Sequence, residues 1–281
     1  MAFRTLISTA ALASRIDDPA FAIVDCRAKL DDLEWGAREY AAAHIPGAVH
    51  ADLTNDLSGP KTGTNGRHPL PDPHALAEAF SRLGIASGVQ VVAYDQDNGM
   101  FASRLWWLLR WLGHDAVAVL DGGFKTWTAE GRPVQSGATI RTPRAFEGAP
   151  HTEMTVDVQT VASRLGSGGP LLIDARAPER YRGETEPIDK VGGHIPGAKN
   201  HFFQRNLDEQ GLFRPPEELR EKIGASVGDV PGNQIVCYCG SGVTACHNLL
   251  AFEHAGVKGA KLYAGSWSEW SSDPNRPVEK G

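Results

Sequence analysis

Cys239 and the residues that follow it have the types and spacing for nucleophilic chemistry. The run Gln234 to Tyr238 leads into Cys239-Gly240-Ser241-Gly242-Val243-Thr244 and then Ala245-Cys246-His247-Asn248-Leu249-Leu250. This reads as strand, small-residue loop and helix. It sets a thiol at the carboxyl end of a buried strand, where open α/β sheets hold their ligands. Gly240 and Gly242 let the backbone curl until successive N–H groups point at one centre. The positive end of the following helix acts in the same direction and favours an anionic sulfur. Ser241 and Thr244 add hydroxyl donors. Metal binding is not expected, because Cys237 and Cys239 alternate across a strand and face opposite ways. No cofactor motif accompanies the loop. A cysteine phosphatase needs an arginine six positions after the nucleophile to grip phosphate, and Ala245 stands there.

The elements that position this loop belong to an ordinary globular chain of 281 residues, 41% hydrophobic and 22% charged. That length suits two domains of about 140 residues each. The net charge of −6 gives no basic field for nucleic acid. Four cysteines (Cys26, Cys237, Cys239 and Cys246) are too few for a disulfide scaffold, and a cytoplasmic location is expected. No run approaches the ~20 apolar residues of a membrane span. At the N-terminus, Leu6 to Leu12 fits a short helix capped near Ser8 better than a signal peptide. In the second half the pattern predicts helices at Val156 to Leu165, Pro216 to Ile223 and Thr244 to His254. Strands are predicted at Leu171 to Asp174, Gln234 to Tyr238 and Lys261 to Tyr263. Apolar strands alternating with helices imply a parallel sheet covered on both faces.

The chain also repeats itself. Asp25-Cys26-Arg27 returns as Asp174-Ala175-Arg176, and His44-Ile45-Pro46-Gly47-Ala48 returns unchanged as His194-Ile195-Pro196-Gly197-Ala198. Val91-Val92-Ala93-Tyr94 matches Ile235-Val236-Cys237-Tyr238, and Trp127 matches Trp270. Four landmarks in one order, displaced by about 145 residues, mean a duplicated domain and not a solenoid. The expected layout is domain 1–131, linker 132–155 and domain 156–281. Aligning the halves on Tyr94 and Tyr238 puts Asp95 at the Cys239 position, so only the second domain keeps the nucleophile. The Asp-x-Arg pairs occur in both halves and read as structural. Cys26, Cys237 and Cys246 read as core residues, as do Trp106, Trp107 and Trp111.

With its two-fold repeat, both His-Ile-Pro-Gly-Ala motifs and the Cys239 loop, the chain closely resembles tandem-domain rhodanese-like sulfurtransferases. The resemblance implies an α/β protein with two rhodanese-like domains, each a mainly parallel five-stranded sheet flanked by helices, the first catalytically inactive. It implies transfer of a sulfane sulfur from a small anionic donor to Cys239 as a persulfide. The acceptor would be cyanide or a thiol, with thioredoxin as the thiol partner the family suggests.

Within that family, basic loops accompany thiosulfate, whereas Cys-Gly-Ser-Gly-Val-Thr loops resemble those of 3-mercaptopyruvate sulfurtransferases. The same resemblance implies that Ser241 assists Cys239 together with a histidine and an aspartate of the first domain. His68, in Gly66-Arg67-His68-Pro69-Leu70-Pro71, is the match for the histidine. Thr54 aligns with the aspartate, and Asp52 and Asp56 flank it; Asp52 is the expectation carried forward. Arg182, in Tyr181-Arg182-Gly183, is expected to bind the donor's carboxylate with the loop residues Gly240, Gly242, Val243 and Thr244. A second family arginine is missing from Glu186-Pro187-Ile188-Asp189-Lys190, where Lys190 is the substitute. The alternatives are thiosulfate as donor and, more remotely, a non-catalytic binding module.

Overall fold

Among the described residues, ten short strands form two five-stranded sheets of identical topology. The structure is a computed structural model that describes residues 2–163, 165–166 and 168–281. The first sheet contains β1 (Leu6–Ile7), β2 (Phe21–Asp25), β3 (Val49–His50), β4 (Gln90–Tyr94) and β5 (Val117–Leu120), in the order β1-β5-β4-β2-β3. The second contains β6 (Thr155–Val156), β7 (Leu171–Asp174), β8 (Lys199–Asn200), β9 (Ile235–Tyr238) and β10 (Lys261–Tyr263), in the order β6-β10-β9-β7-β8. Every pairing is parallel. Parallel strands need crossover connections, and the helices that supply them cover both faces of the sheet. That is why β4 and β9 are buried along their whole length and, apart from Gln90 at the start of β4, carry apolar or aromatic residues and a cysteine.

The chain divides into two compact units. One comprises residues Met1–Gly59, Pro71–His151 and Glu209–Phe213; the other comprises Pro60–Leu70, Thr152–Asp208 and Arg214–Gly281. Most of the predicted elements are in place. The N-terminal helix runs Thr9–Ala13 with Ser8 accepting from the Ala11 N–H, but Leu6 and Ile7 form β1 instead of its first turn. The helix expected over 156–165 is Val158–Ser163, and Arg164 lies outside the described residues. The helix expected to end at Ile223 continues to Val227, where Gly228 at φ 66° stops it.

The repeated motifs turn out to be a brace at the strand ends. In the first unit Arg27 forks onto Asp25 with Nη2 2.7 Å from Oδ2, and its Nη2 also donates to the Ala43 carbonyl. The Tyr94 hydroxyl donates to Asp25 Oδ2 and accepts from the Ile45 N–H of the His-Ile-Pro-Gly-Ala turn. The second unit repeats this with Arg176 on Asp174 and on the Gly193 carbonyl, and with the Ile195 N–H donating to the Tyr238 hydroxyl. Buried ion pairs add little net stability because desolvation offsets their attraction. Their effect here is to fix where the turn crosses the sheet. Since both units have the brace and one has Cys239, the brace serves the fold and not the chemistry.

A second buried polar network steadies the helix Thr244–His254 behind the Cys239 loop. Asn206 Nδ2 donates to Asn248 Oδ1, and Asn206 Oδ1 faces His201 Nε2 at 2.9 Å. His201 Nδ1 lies 2.8 Å from Ser226 Oγ. With its amide nitrogen committed to Asn248, Asn206 presents a carbonyl, which selects the Nε2–H form of His201. Burial, with Arg205 and Lys222 nearby, pushes His201 below the usual histidine range against the opposing Asn206 bond. The unfolded chain therefore takes up this proton first. Stability is expected to be level above about pH 7.5 and to fall as pH drops below about 6.5, by at most ~1.4 kcal/mol per pH unit for one proton. Thermal unfolding from pH 8 to 5 should show a shallower slope for His201→Gln than for the wild type. Equal slopes would mean that His201 does not govern the transition.

Candidate active site

The Cys239 loop follows β9 as the alternation of small residues anticipates, and its backbone folds around the sulfur. The Gly242 N–H points at Cys239 Sγ from 3.1 Å and the Ser241 N–H from 3.5 Å. Two further bonds hold the loop from behind: the Trp267 N–H donates to the Cys239 carbonyl and the Ser268 N–H to the Gly240 carbonyl, each at 2.9 Å. The Cys239 N–H donates to Ser266 Oγ. The helix Thr244–His254 begins directly after the loop, and no side chain caps its N-terminus. Its partial positive charge therefore stays available to an anion at the sulfur. Gly242 sits at φ 79°, and a Cβ there would lie 2.5 Å from the Ala264 carbonyl oxygen. Only glycine gives this turn and this approach.

His68 belongs to the same unit, and its Nδ1 lies 2.8 Å from Ser241 Oγ. The histidine and serine matched from sequence are thus brought together beside the sulfur, both nearly buried. Asp52 is part of the other unit, where its Oδ1 accepts from the Thr54 and Asn55 N–H groups of its own turn. Val243 is buried at the helix N-cap, and Thr244 opens the first turn.

The arginines that approach the loop are Arg67 and Arg180, not Arg182. The three atoms closest to a Cβ placed on Gly240 are guanidinium nitrogens, Arg67 Nη2 at 2.8 Å and Arg180 Nη2 and Nη1 at 3.6 and 3.7 Å. Arg182 lies at the exposed C-cap of the helix Pro178–Tyr181 and pairs with Glu184, with Nε 2.7 Å from Oε1. Two residues along a helix rotate the side chain by about 200°, so Arg180 and Arg182 face opposite ways. Lys190 is exposed. Arg180 is oriented by Glu186 at 2.6 Å, and Asp189 contacts both Arg67 and Arg180. Burial pushes the Glu186 carboxyl up, but Arg180 and the Ile188 and Asp189 N–H groups outweigh it and hold it below the usual range.

The counterpart loop of the first unit is chemically closed. Asp95, at the Cys239 position, accepts from the N–H groups of Gly99, Phe101 and Ala102 at 2.9, 2.7 and 3.1 Å. A carboxylate of the chain itself fills the N–H cradle that the second unit directs at sulfur.

A family model described as rhodanese-like domain matches residues 8–130 and again 157–273. The chain belongs to the rhodanese-like family. Among relatives of this rhodanese-like chain, a Pseudomonas aeruginosa protein named probable 3-mercaptopyruvate sulfurtransferase is 48% identical over the full length of both. The thiosulfate sulfurtransferase of Cricetulus griseus is 34% identical, over 99% of this chain and 96% of that one. The structure of 3-mercaptopyruvate sulfurtransferase from Leishmania major superposes with a TM-score of 0.86 at 31% identity, covering 98% of this chain and 76% of that one. These two relatives and this structural neighbour are named as sulfurtransferases, with both donors represented.

Among the described residues no His, Cys, Asp or Glu cluster suits a metal ion, and no helix is long and apolar enough to cross a membrane.

Proposed function

We propose that the protein is a sulfurtransferase that takes sulfane sulfur from 3-mercaptopyruvate onto Cys239 and passes it to a thiol or to cyanide. In the first half-reaction the Cys239 thiolate attacks the donor's sulfur. An S–S bond forms, the C–S bond breaks, and its electron pair leaves on carbon as the enolate of pyruvate. The Gly242 and Ser241 N–H groups hold the sulfur, and the donor's thiol proton passes by way of Ser241 and His68 to the enolate carbon, which leaves pyruvate and a persulfide anion on Cys239. In the second half-reaction an acceptor thiolate or cyanide attacks the outer persulfide sulfur and returns Cys239 as thiolate. A protein dithiol such as thioredoxin suits this step. A reducing compartment such as the cytoplasm suits a chain whose four cysteines are all free thiols.

The observation that carries the choice of donor is the His68–Ser241 bond at 2.8 Å. A carbon leaving group must be protonated, and an imidazole–hydroxyl pair next to the sulfur can deliver the proton. Sulfite, the leaving group from thiosulfate, departs as a stable anion and needs no such relay. Thiosulfate is the second reading, favoured by the two guanidiniums beside Gly240. Measuring kcat/KM for both donors with one acceptor decides between them. A preference for 3-mercaptopyruvate of about tenfold or more is expected, worth ~1.4 kcal/mol in the transition state. Preference for thiosulfate overturns the assignment.

A further inference from the structure

The duplication separates what serves the fold from what serves the reaction. The turn Gly265-Ser266-Trp267-Ser268 of the second unit corresponds to Gly122-Gly123-Phe124-Lys125 of the first. Both turns brace their loop with the same two backbone bonds. The Phe124 and Lys125 N–H groups donate to the Asp95 and Gln96 carbonyls, as those of Trp267 and Ser268 do to Cys239 and Gly240. These bonds form with or without a nucleophile and belong to the fold. The Ser268 hydroxyl is different. Where the first unit has the exposed Lys125, Ser268 Oγ accepts the Arg67 N–H at 3.0 Å. We infer that Ser268 is a positioning residue, holding His68 in register with Ser241 and thereby setting the rate of persulfide formation. The inference rests on the proposed function and adds the residue that aligns its proton relay.

Three observations support it. First, Ser268 holds both halves of the relay. Its N–H bonds the Gly240 carbonyl, one residue before Ser241, and its Oγ bonds the Arg67 N–H, one residue before His68. One residue therefore closes the path between the two partners of the 2.8 Å His68–Ser241 contact. Second, the hydroxyl is oriented. It donates to the Gly265 carbonyl at 3.2 Å, which leaves its lone pairs for the Arg67 N–H. Third, Gly66 at φ 87° lies against the same turn. A Cβ there would sit 2.8 Å from the Gly265 carbonyl oxygen and 3.3 Å from Ser268 Oγ. The missing side chain lets the backbone come close enough for the next residue to reach the hydroxyl.

The first unit shows what the same architecture does without this link. Residues Glu209–Phe213 precede the helix Pro216–Val227 as Gly66 to Leu70 precede the helix Pro73–Arg82, and they are part of the first unit. There the Phe213 N–H donates to Asp121 Oδ1 at 2.9 Å, and Leu212 and Phe213 lie beside Gly122 and Gly99. That segment is anchored by a carboxylate and brings apolar carbon to its loop. The segment anchored by Ser268 brings an imidazole. A proton relay works only over about 2.6–3.2 Å between heavy atoms, so its partners need a closer tolerance than packing alone supplies. A hydroxyl that fixes the peptide next to His68 meets that need.

The test measures the two half-reactions separately by single turnover. Wild-type persulfide formation from 3-mercaptopyruvate comes first, and its absence retires the proposed function. Given that step, Ser268→Ala should slow persulfide formation about tenfold, the cost of a misaligned relay. Discharge of the preformed persulfide to cyanide takes no proton from His68 and should change by about twofold or less. Ser268→Thr keeps the accepting oxygen and should bring formation back to within about threefold of wild type. Gly66→Ala displaces the same link from its other end, and it should reproduce the split between the half-reactions even where Ser268→Ala does not fold. In a His68→Ala background Ser268→Ala should cost nothing further, because no imidazole is left to place. Equal slowing of both half-reactions, no slowing of formation, failure of threonine to restore it, or a full extra loss on top of His68→Ala would overturn the assignment.

Discussion

Cys239→Ser is expected to abolish turnover and to leave the protein without the mass increment of about 32 Da that a persulfide adds after incubation with donor. The effect is complete because a serine oxygen cannot carry sulfane sulfur, so no intermediate forms and no weaker route replaces it. The remaining thiols cannot stand in. Cys237 is enclosed in β9, where burial pushes its thiol up. Cys246 donates its own S–H to the Gly242 carbonyl at 3.2 Å, one helical turn back. Cys26 is likewise pushed up by burial and by the adjacent Asp25 carboxylate. Each of these three replaced singly by alanine should still form the persulfide, at a cost in packing. Intact-mass measurement of the four variants is the check, and an added sulfur on Cys239→Ser would sink the mechanism.

The contrast between Cys239 and Asp95 shows what the duplicated fold contributes. Both residues follow the equivalent strand and precede a helix, and in both loops the N–H groups converge on one atom group. In the first unit that atom group is a fixed carboxylate. In the second it is a sulfur that can change its charge and its bonding. One cradle closes a fold; the other is the one the proposed function uses for the reaction. The difference is one side chain and the glycines that let the loop wrap around it.

Much of this was legible in the sequence because it depends on local rules. Continuous apolar runs gave β7, β9 and β10 nearly residue for residue, since parallel strands buried on both faces leave no polar alternation to blur their ends. Small residues after a strand revealed the Cys239 loop. What stayed hidden depended on rotation or on distance along the chain. The choice between Arg180 and Arg182 turns on the phase of a four-residue helix too short to show a periodicity. Arg67 is separated from Gly240 by more than half the chain, and nothing in Gly66-Arg67-His68 announces that its guanidinium meets that glycine. One signal was available: a cation flanking His68, the residue already assigned to the site. The two-residue strands β3 and β8 escaped for a similar reason, because so short a strand exists through its neighbours and not through its own pattern.

Gly242→Ala is the second change expected to be severe, and it separates the shape of the loop from the identity of its nucleophile. An alanine at φ 79° pays about 1–2 kcal/mol for the left-handed conformation alone. Its Cβ also meets the Ala264 carbonyl oxygen at 2.5 Å, and that oxygen belongs to backbone and cannot swing away. The loop must shift, yet it is pinned by the Trp267 and Ser268 N–H bonds, so the shift falls on the Gly242 N–H that points at sulfur. Losing one such preorganised donor in related oxyanion sites lowers kcat about a hundredfold or more. A loss of that size is expected here, together with a destabilisation of roughly 2–4 kcal/mol. Gly197→Ala is the matched control. Gly197 has φ 77°, but a Cβ there meets nothing within 4 Å, so the variant bears the conformational cost without the collision. Denaturant unfolding and kcat/KM measured on both variants decide the matter. If the two lose activity equally, the contact with Ala264 is irrelevant and the geometry of the cradle is not what activates Cys239. If only Gly242→Ala loses it, the anion site consists of backbone N–H groups held in place by one glycine, and Cys239 is the passenger they serve.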